Sequence, residues 1–436
     1  MALLLLTVQY LLYVLFRKLF SLVQGLYWLI TGTLWHAKNP ENYATSGQLM
    51  TVAGRMKFDL IAQPSGSENF VTFHEQFVHP RYVLRDNVTL YSCTDSEAVF
   101  VETDADVDVT SLDVSCFMRV AQFQNARRII KLPVESVNRL AEEIGDPDGQ
   151  LIIVTSTARC GSTLLCQVFA ETNTCASYSE PDYFHVINAY RNKLPQEQME
   201  RLLRNLTRLL CKPVSTKPNV KAHLIKPIAH FVTAVPLFLK VFPESRQLFM
   251  YRDGLKVTRS MLKMFDQVPI SQVMVFVSTY LPRIFRFFTS YSVHFPEGDL
   301  PDNMCEDKEF GTFIWAVTCR CYNQLHASGY DISALKYEHL VTHPLQSIRA
   351  ILHYCRLPEE WARSGLKAMG KDSQRGSLIS KANLGQKDQE MVLSAKNKVV
   401  VDSICDQMGL PRIDKPCSLP DTINDPDVML RHTEIH

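Results

Sequence analysis

Apolar and polar positions divide the chain into stretches of different period. Residues 1–16, "MALLLLTVQYLLYVLF", and 19–35, "LFSLVQGLYWLITGTLW", carry no charge, and Arg17 and Lys18 stand between them. The second block is at the short end of the roughly 17 to 25 apolar residues that a membrane-crossing helix needs. Trp28 and Trp35 suit a membrane–water boundary. The charges follow the first apolar block instead of preceding it, which argues against a cleaved signal peptide. Membrane attachment through residues 1–35 is expected. If Arg17 and Lys18 stay in the cytosol, the bulk of the chain faces the lumen. The alternative is a helix or hairpin on a membrane surface, with the rest in the cytosol.

Residues 36–60 are mixed and polar and suit a linker or stem. Residues 65–125 read as β-rich: "RYVLRDNVTLYSC" and "EAVFVET" alternate, with turn residues between them. In "LPVESVNRLAEEIG", Pro133 suits a helix start and Gly145 its end. "DPDGQ" is a loop, and "LIIVT" (151–155) reads as a buried parallel strand. "AHLIKP", "RQLFMYRD" and "ISALKYEHL" are further short strands ending in polar residues. "FVTAVPLFLKVF" and "LKVTRSMLKMF" are helical between them. Such alternation predicts an α/β fold of three layers, with a central, mostly parallel sheet covered on both faces. Ligands of such sheets bind beyond the carboxyl ends of the strands. The apolar stretch 273–295 contains Pro282, Arg283 and Arg286, so a buried or acceptor-lining helix is favoured over a second membrane span. The organisation expected is a membrane anchor at 1–35, a linker and β-rich region at 36–147, an α/β domain at 148–415 and a loosely ordered tail at 416–436.

Composition narrows the function. A chain of 436 residues with 46% apolar content is long enough for a large domain with a smaller attachment. Its formal net charge of +1 offers no broad field for nucleic acid, so an anion site must be built locally. The 12 cysteines form no CxxC pair. Cys319 and Cys321, with His326 nearby, lack a fourth ligand, and no metal is expected. His74 and His79 are five apart, not the four of a zinc-protease helix. The triplets starting at Asn87 and Asn205 fit glycosylation sites of a lumenal protein.

The chemistry concentrates in "TARCGSTLL" (157–165). Backbone N–H groups at Cys160, Gly161, Ser162 and Thr163 would stand at a helix start, where the dipole favours an anion. Gly161 allows close approach, the two hydroxyls add donors, and Arg159 adds a charged fork. The plain alternative is a turn rich in small residues. A phosphatase with Cys160 as nucleophile would want an arginine six residues on, where Cys166 stands. The lysine of a nucleotide-hydrolysing P-loop is absent. In "FMYRDGLKVTRSM", Arg252 at a strand end and Ser260 in the next helix can reach one phosphate.

Together these segments resemble the P-loop sulfotransferases that use 3′-phosphoadenosine-5′-phosphosulfate. "TARCGSTLL" is similar to their 5′-phosphosulfate loop in its arginine form. "SEPDYF" (179–184) resembles a Ser-Glu-Pro element after the first helix. The stretch 224–261 is similar to the run from a lysine-bearing strand to the 3′-phosphate element, and "LKYEHLVTHP" to the Tyr-Glu-Asp-Leu segment. "SQRGSLIS" (373–380) is similar to a closing Arg-x-Gly loop. Gly254, Cys160 and His339 depart from the usual proline, serine and acidic residue.

The resemblance implies sulfuryl transfer from that donor to a hydroxyl acceptor, a carbohydrate before a lipid or small molecule. It places the enzyme at a Golgi or endoplasmic reticulum membrane with a lumenal catalytic domain. Arg159, with Cys160, Gly161, Ser162 and Thr163, would take the leaving phosphate. Arg252 and Ser260 would take the 3′-phosphate, Tyr337 would lie near the adenine, and Arg375 and Gly376 would close over the donor. Lys226 is either a charge near the transferred group or a surface lysine. Glu180 and His230 compete as general base, with Glu180 preferred. The alternatives are an inactive scaffold of the same fold or another P-loop nucleotide enzyme.

Overall fold

The structure, a computed structural model, describes residues 2–40, 42–190, 193–265, 267–281, 307–376, 380 and 393–426. The chain separates into two units. One comprises Met1–Thr110, Phe117–Pro147 and Pro181–Asn219; the other comprises Ser111–Cys116, Asp148–Glu180 and Val220–His436.

The first unit starts with a helix, Ala2–Ile30, that runs unbroken through Arg17 and Lys18. Among the described residues it is the one helix long and apolar enough, by length and composition, to cross a membrane. Its body is an antiparallel sheet in the order β2-β1-β5-β4-β3, formed by β1 (Gly47–Arg55), β2 (Phe70–Val78), β3 (Val88–Cys93), β4 (Glu97–Glu102) and β5 (Arg128–Pro133). The β3–β4 hairpin turns where the sequence predicts it: the Thr94 hydroxyl accepts from the Glu97 N–H at 3.1 Å. Two expectations are corrected. The supposed stem contains β1, whose two glycines and two register irregularities mask its alternation. "RYVL" closes a 3₁₀ turn, Pro80–Leu84, begun by Pro80 and by His79 accepting from the Arg81 N–H. The helix Val134–Ile144 has Pro133 and Gly145 at its ends as read from sequence, with Gly145 at φ +80°. Asn205 is buried and donates to Asn138 at 2.7 Å, so this triplet cannot carry a glycan in the folded chain.

The second unit is α/β. Its five strands are β6 (Gln150–Ser156), β7 (Cys175–Ser179), β8 (Ala222–Lys226), β9 (Arg246–Tyr251) and β10 (Ser333–Lys336). They are all parallel, in the order β10-β9-β6-β8-β7. Both faces are covered, and β9 makes this plain. Phe249 and Tyr251 pack with Val257, Trp315 and Val401 on one side. Leu248 and Met250 pack with Leu165, Val168 and Ile351 on the other. Alternate side chains of one strand thus serve two cores, which is why these strands read as continuous apolar runs. The chain leaving β6 enters the helix Ser162–Ala170 on the second face, while the chain leaving β8 reaches Val232 and Val235 on the first. Connections that diverge in this way open a crevice at the strand ends.

β10 is shorter than expected, because Tyr337 opens a helix, Tyr337–Thr342. The supposed tail is tied down as far as residue 426. Thr422 bridges Ala334, and the Asn424 side chain accepts from the Lys336 N–H at 2.9 Å. The apolar stretch 273–295 begins within the helix Pro269–Tyr280; from residue 282 it lies outside the described residues.

His223 on β8 gives this unit an acid limit. It is buried beside the Tyr178 hydroxyl, and burial lowers its imidazole to about 4. The unfolded chain takes up this proton near 6.5, so between those values the unfolded state binds more protons. Stability is then full above pH 6.5 and falls as the pH drops through this window, by on the order of 3 kcal/mol. Urea unfolding at pH 7 and pH 4 should reveal this loss, and His223→Gln should reduce it.

Candidate functional site

The carboxyl ends of the five parallel strands each deliver one candidate residue or segment. In sheet order these are Tyr337 after β10, Arg252 after β9, the 157–161 loop after β6, Lys226 ending β8 and Glu180 after β7. At about 4.8 Å between neighbouring strands, the row is about 19 Å long.

The loop after β6 is built from left-handed backbone. Ala158, Arg159 and Gly161 have φ of +60°, +47° and +88°. Two of the three are not glycine, and such strain persists where surrounding structure enforces it. Here the Thr157 N–H donates to Met250 O on β9 at 3.1 Å, and Gly161 O receives Leu164 N–H at 2.9 Å as the helix starts. Left-handed residues just before a helix N-terminus are a backbone form that can turn N–H groups toward an anion. Cys160 is fully buried, as is Cys166, whose thiol burial raises to about 11. Neither is presented as a nucleophile.

Gly161 is fixed by its neighbour as well as by its backbone. A Cβ there would lie 2.4 Å from Tyr337 Cδ2. Gly161→Ala is expected to destabilise the chain by about 2–4 kcal/mol, combining the left-handed penalty with overpacking. Adding Tyr337→Ala should recover the packing part and leave the backbone part, as read by thermal unfolding.

Arg159 and Arg252 come together with Ser260. Arg159 Nε donates to Ser260 Oγ at 3.0 Å, and Arg252 Nη1 to Arg159 O at 3.5 Å. The Arg252 guanidinium lies 4.7 Å from the Tyr337 ring centre, a cation–π contact. Burial, then the charge of Arg252, lowers the Arg159 pKa. Glu338 answers this charge incompletely: its Oε1 is 3.0 Å from Lys256 Nζ and 3.9 Å from Arg252 Nε. Arg252 Nε is buried and, among the described residues, has no hydrogen-bond partner. Two adjacent guanidiniums with an unfilled donor fit a bound anion.

The glycine after Arg-Asp has a local cause. A Cβ on Gly254 would stand 3.0 Å from the Trp315 ring, and Trp315 Nε1 donates to Arg252 O at 3.0 Å. The tryptophan holds the arginine's backbone in place. Sequence reading missed Trp315, Lys256 and Glu338 as supports, although Glu338 adjoins Tyr337 in the quoted segment.

At the other end of the row, Lys226 is buried, which removes its reading as a surface lysine. Its ammonium forms an ion pair with Glu180, and the Glu180 N–H donates to Lys226 O at 2.7 Å. The pairing follows from register, since Ser179 on β7 is opposite Lys226 on β8. Glu180 adopts φ +52°, a third strained non-glycine at these strand ends. The backbone of His230 is in the 3₁₀ turn Ala229–Ala234; its side chain is outside the described set. Arg375 and Gly376 are exposed in a turn after Leu366–Gly370, and no hydrogen bond or ion pair among the described residues links Arg375 to the row. Among the described residues, no group of three or more His, Cys, Asp or Glu could hold a metal ion.

No family model and no curated protein matches the chain. Solved structures resemble it in part, three sulfotransferases among them. Sulfotransferase STF9 from Mycobacterium avium has a TM-score of 0.34 and 14% identity over 54% of this chain and 73% of its own. The sulfotransferase domain of the Synechococcus PCC 7002 olefin synthase has 0.34 and 14% over 62% of this chain and 97% of its own. Sulfotransferase STF1 from Mycobacterium tuberculosis H37Rv has 0.29 and 10% over 57% of this chain and 79% of its own. Likeness at these scores does not assign a function to this chain.

Proposed function

We propose that the second unit is a sulfotransferase that uses 3′-phosphoadenosine-5′-phosphosulfate and sulfates a hydroxyl, with carbohydrates first among the acceptors. The observation that carries this reading is the separation of charges along the row: paired arginines after β6 and β9, and a lysine–carboxylate pair at β8 and β7. A donor with a 3′-phosphate and a 5′-phosphosulfate needs a cation at each phosphate, which Arg252 and Arg159 can supply, and a hydroxyl acceptor needs a base near the transferred group, which Glu180 beside Lys226 can supply.

The donor supplies an activated sulfur–oxygen bond. Arg159 and the N–H groups of Cys160, Gly161, Ser162 and Thr163 neutralise its 5′-phosphate as charge grows there. Arg252 and Ser260 hold the 3′-phosphate, which selects this donor over a nucleoside triphosphate. Tyr337, packed on Arg252 and above Gly161, sets the depth of the phosphate seat and can present a ring edge to the base. Glu180 accepts the acceptor's proton, and Lys226 orients its carboxylate and adds positive charge near the sulfuryl group. Arg375 and Gly376 remain candidates for closure over the donor.

The test is transfer of labelled sulfate from the donor by the purified full-length chain, screened over glycans, lipids and small alcohols. A labelled product with the wild-type chain, absent with Arg159→Ala, supports the assignment. Tight donor binding without transfer to any acceptor class would instead favour a catalytically silent scaffold.

A further inference from the structure

The helix Ala2–Ile30 has two unlike faces. Its inner positions touch the rest of the first unit along most of its length. Gln63 Nε2 donates to Tyr10 OH at 3.1 Å, Gln24 Nε2 donates to Thr72 O at 2.8 Å, and Trp28 stacks edge-on against His74 at 6.1 Å. From Tyr10 to Trp28 this contact line is about 27 Å long. The outer positions, at helical spacing, are apolar and open. Leu4 is 69% exposed, Leu11 61%, Leu15 57%, Leu22 63% and Leu26 56%. No Asp or Glu occurs before Glu41, while Arg17 and Lys18 fall near the middle of the helix.

A crossing helix would be immersed on all sides, with these two cations at the depth where charge is least tolerated. This helix instead keeps one side on protein and offers the other as a continuous apolar stripe. An apolar stripe flanked by basic and free of acidic side chains complements an anionic lipid surface. We propose that the helix Ala2–Ile30 lies in the plane of a phospholipid bilayer with the stripe from Leu4 to Leu26 immersed, and does not cross it. Lys18, exposed beside the stripe, reaches the headgroup phosphates. This inference is independent of the proposed sulfuryl transfer.

The full-length chain is mixed with vesicles of phosphatidylcholine and phosphatidylserine. Flotation should recover it with the lipid, and Leu15→Glu combined with Leu22→Glu should weaken recovery at least about tenfold. Both side chains face outward, so the variant should keep its melting temperature. Depth is read by placing tryptophan singly at Leu5, Leu15 and Leu26 and quenching with brominated lipids. Equal, shallow quenching at all three is expected. Deep quenching at Leu15 with shallow values at the ends would overturn the proposal in favour of a span. Absence of vesicle binding would also overturn it. So would a lipid-free dimer that the double variant dissolves, because the stripe would then be a contact between two copies of the chain.

Discussion

Arg252→Ala is expected to weaken binding of adenosine 3′,5′-bisphosphate by about 30-fold to 700-fold. Arg252 is held in place before any ligand arrives: its backbone carbonyl takes the Trp315 N–H, and its guanidinium carbon lies 4.7 Å from the Tyr337 ring centre. Its Nε is a buried donor without a hydrogen-bond partner among the described residues, with Glu338 Oε1 no nearer than 3.9 Å. Such a preorganised, partly desolvated charge should give a phosphate about 2–4 kcal/mol, and each 1.4 kcal/mol is a tenfold change in affinity. Arg252→Lys keeps the charge but loses the planar fork, so it should recover only part of the affinity. Ser260→Ala should cost less, because Arg159 already occupies its oxygen. Isothermal titration of the three variants checks this order.

Glu180→Gln is expected to reduce the transfer rate about 100-fold to 10,000-fold while leaving bisphosphate affinity within about threefold. The substitution keeps the shape of the side chain and removes its capacity to accept a proton. It also leaves the Lys226 ammonium, buried at the end of β8, without this counter-charge, so some loss of stability accompanies it. Lys226→Met with Glu180→Gln should restore stability without restoring rate, which separates the two effects. His230→Ala is the counterpart experiment. If it abolishes transfer and Glu180→Gln does not, the base is His230.

The parts of this site that were legible in sequence are those governed by local rules. Buried parallel strands such as 151–155 and 246–251 are apolar on both sides, so they stand out as runs. The loop at 157–163 has a local signature, and Pro133 and Gly145 mark a helix by their own conformational limits. β7, "CASYS", was not legible, because it is short, small and partly polar; its pairing with β8 makes it a strand. The Glu180–Lys226 pair joins residues 46 positions apart, and only the β7–β8 register reveals it. Asn424 is similar, since its hold on the Lys336 backbone depends on a return of the chain that no periodicity encodes. The continuity of the first helix through Arg17 and Lys18 was hidden for a different reason. In sequence, two adjacent charges between apolar blocks look like a boundary, whereas a helix with one side on protein accommodates them.

In the proposed function the row of strand ends seats a 3′-phosphorylated adenosine donor. Thermal unfolding of the full-length chain with adenosine 3′,5′-bisphosphate, set against ATP with magnesium, tests it most directly. At about 100 times the dissociation constant, a ligand that binds only the folded state adds about 2.7 kcal/mol. The melting temperature should rise by several degrees with the bisphosphate, change little with ATP and magnesium, and lose its shift in Arg252→Ala. A folded chain that the bisphosphate leaves unmoved, or that ATP with magnesium stabilises more, would contradict it.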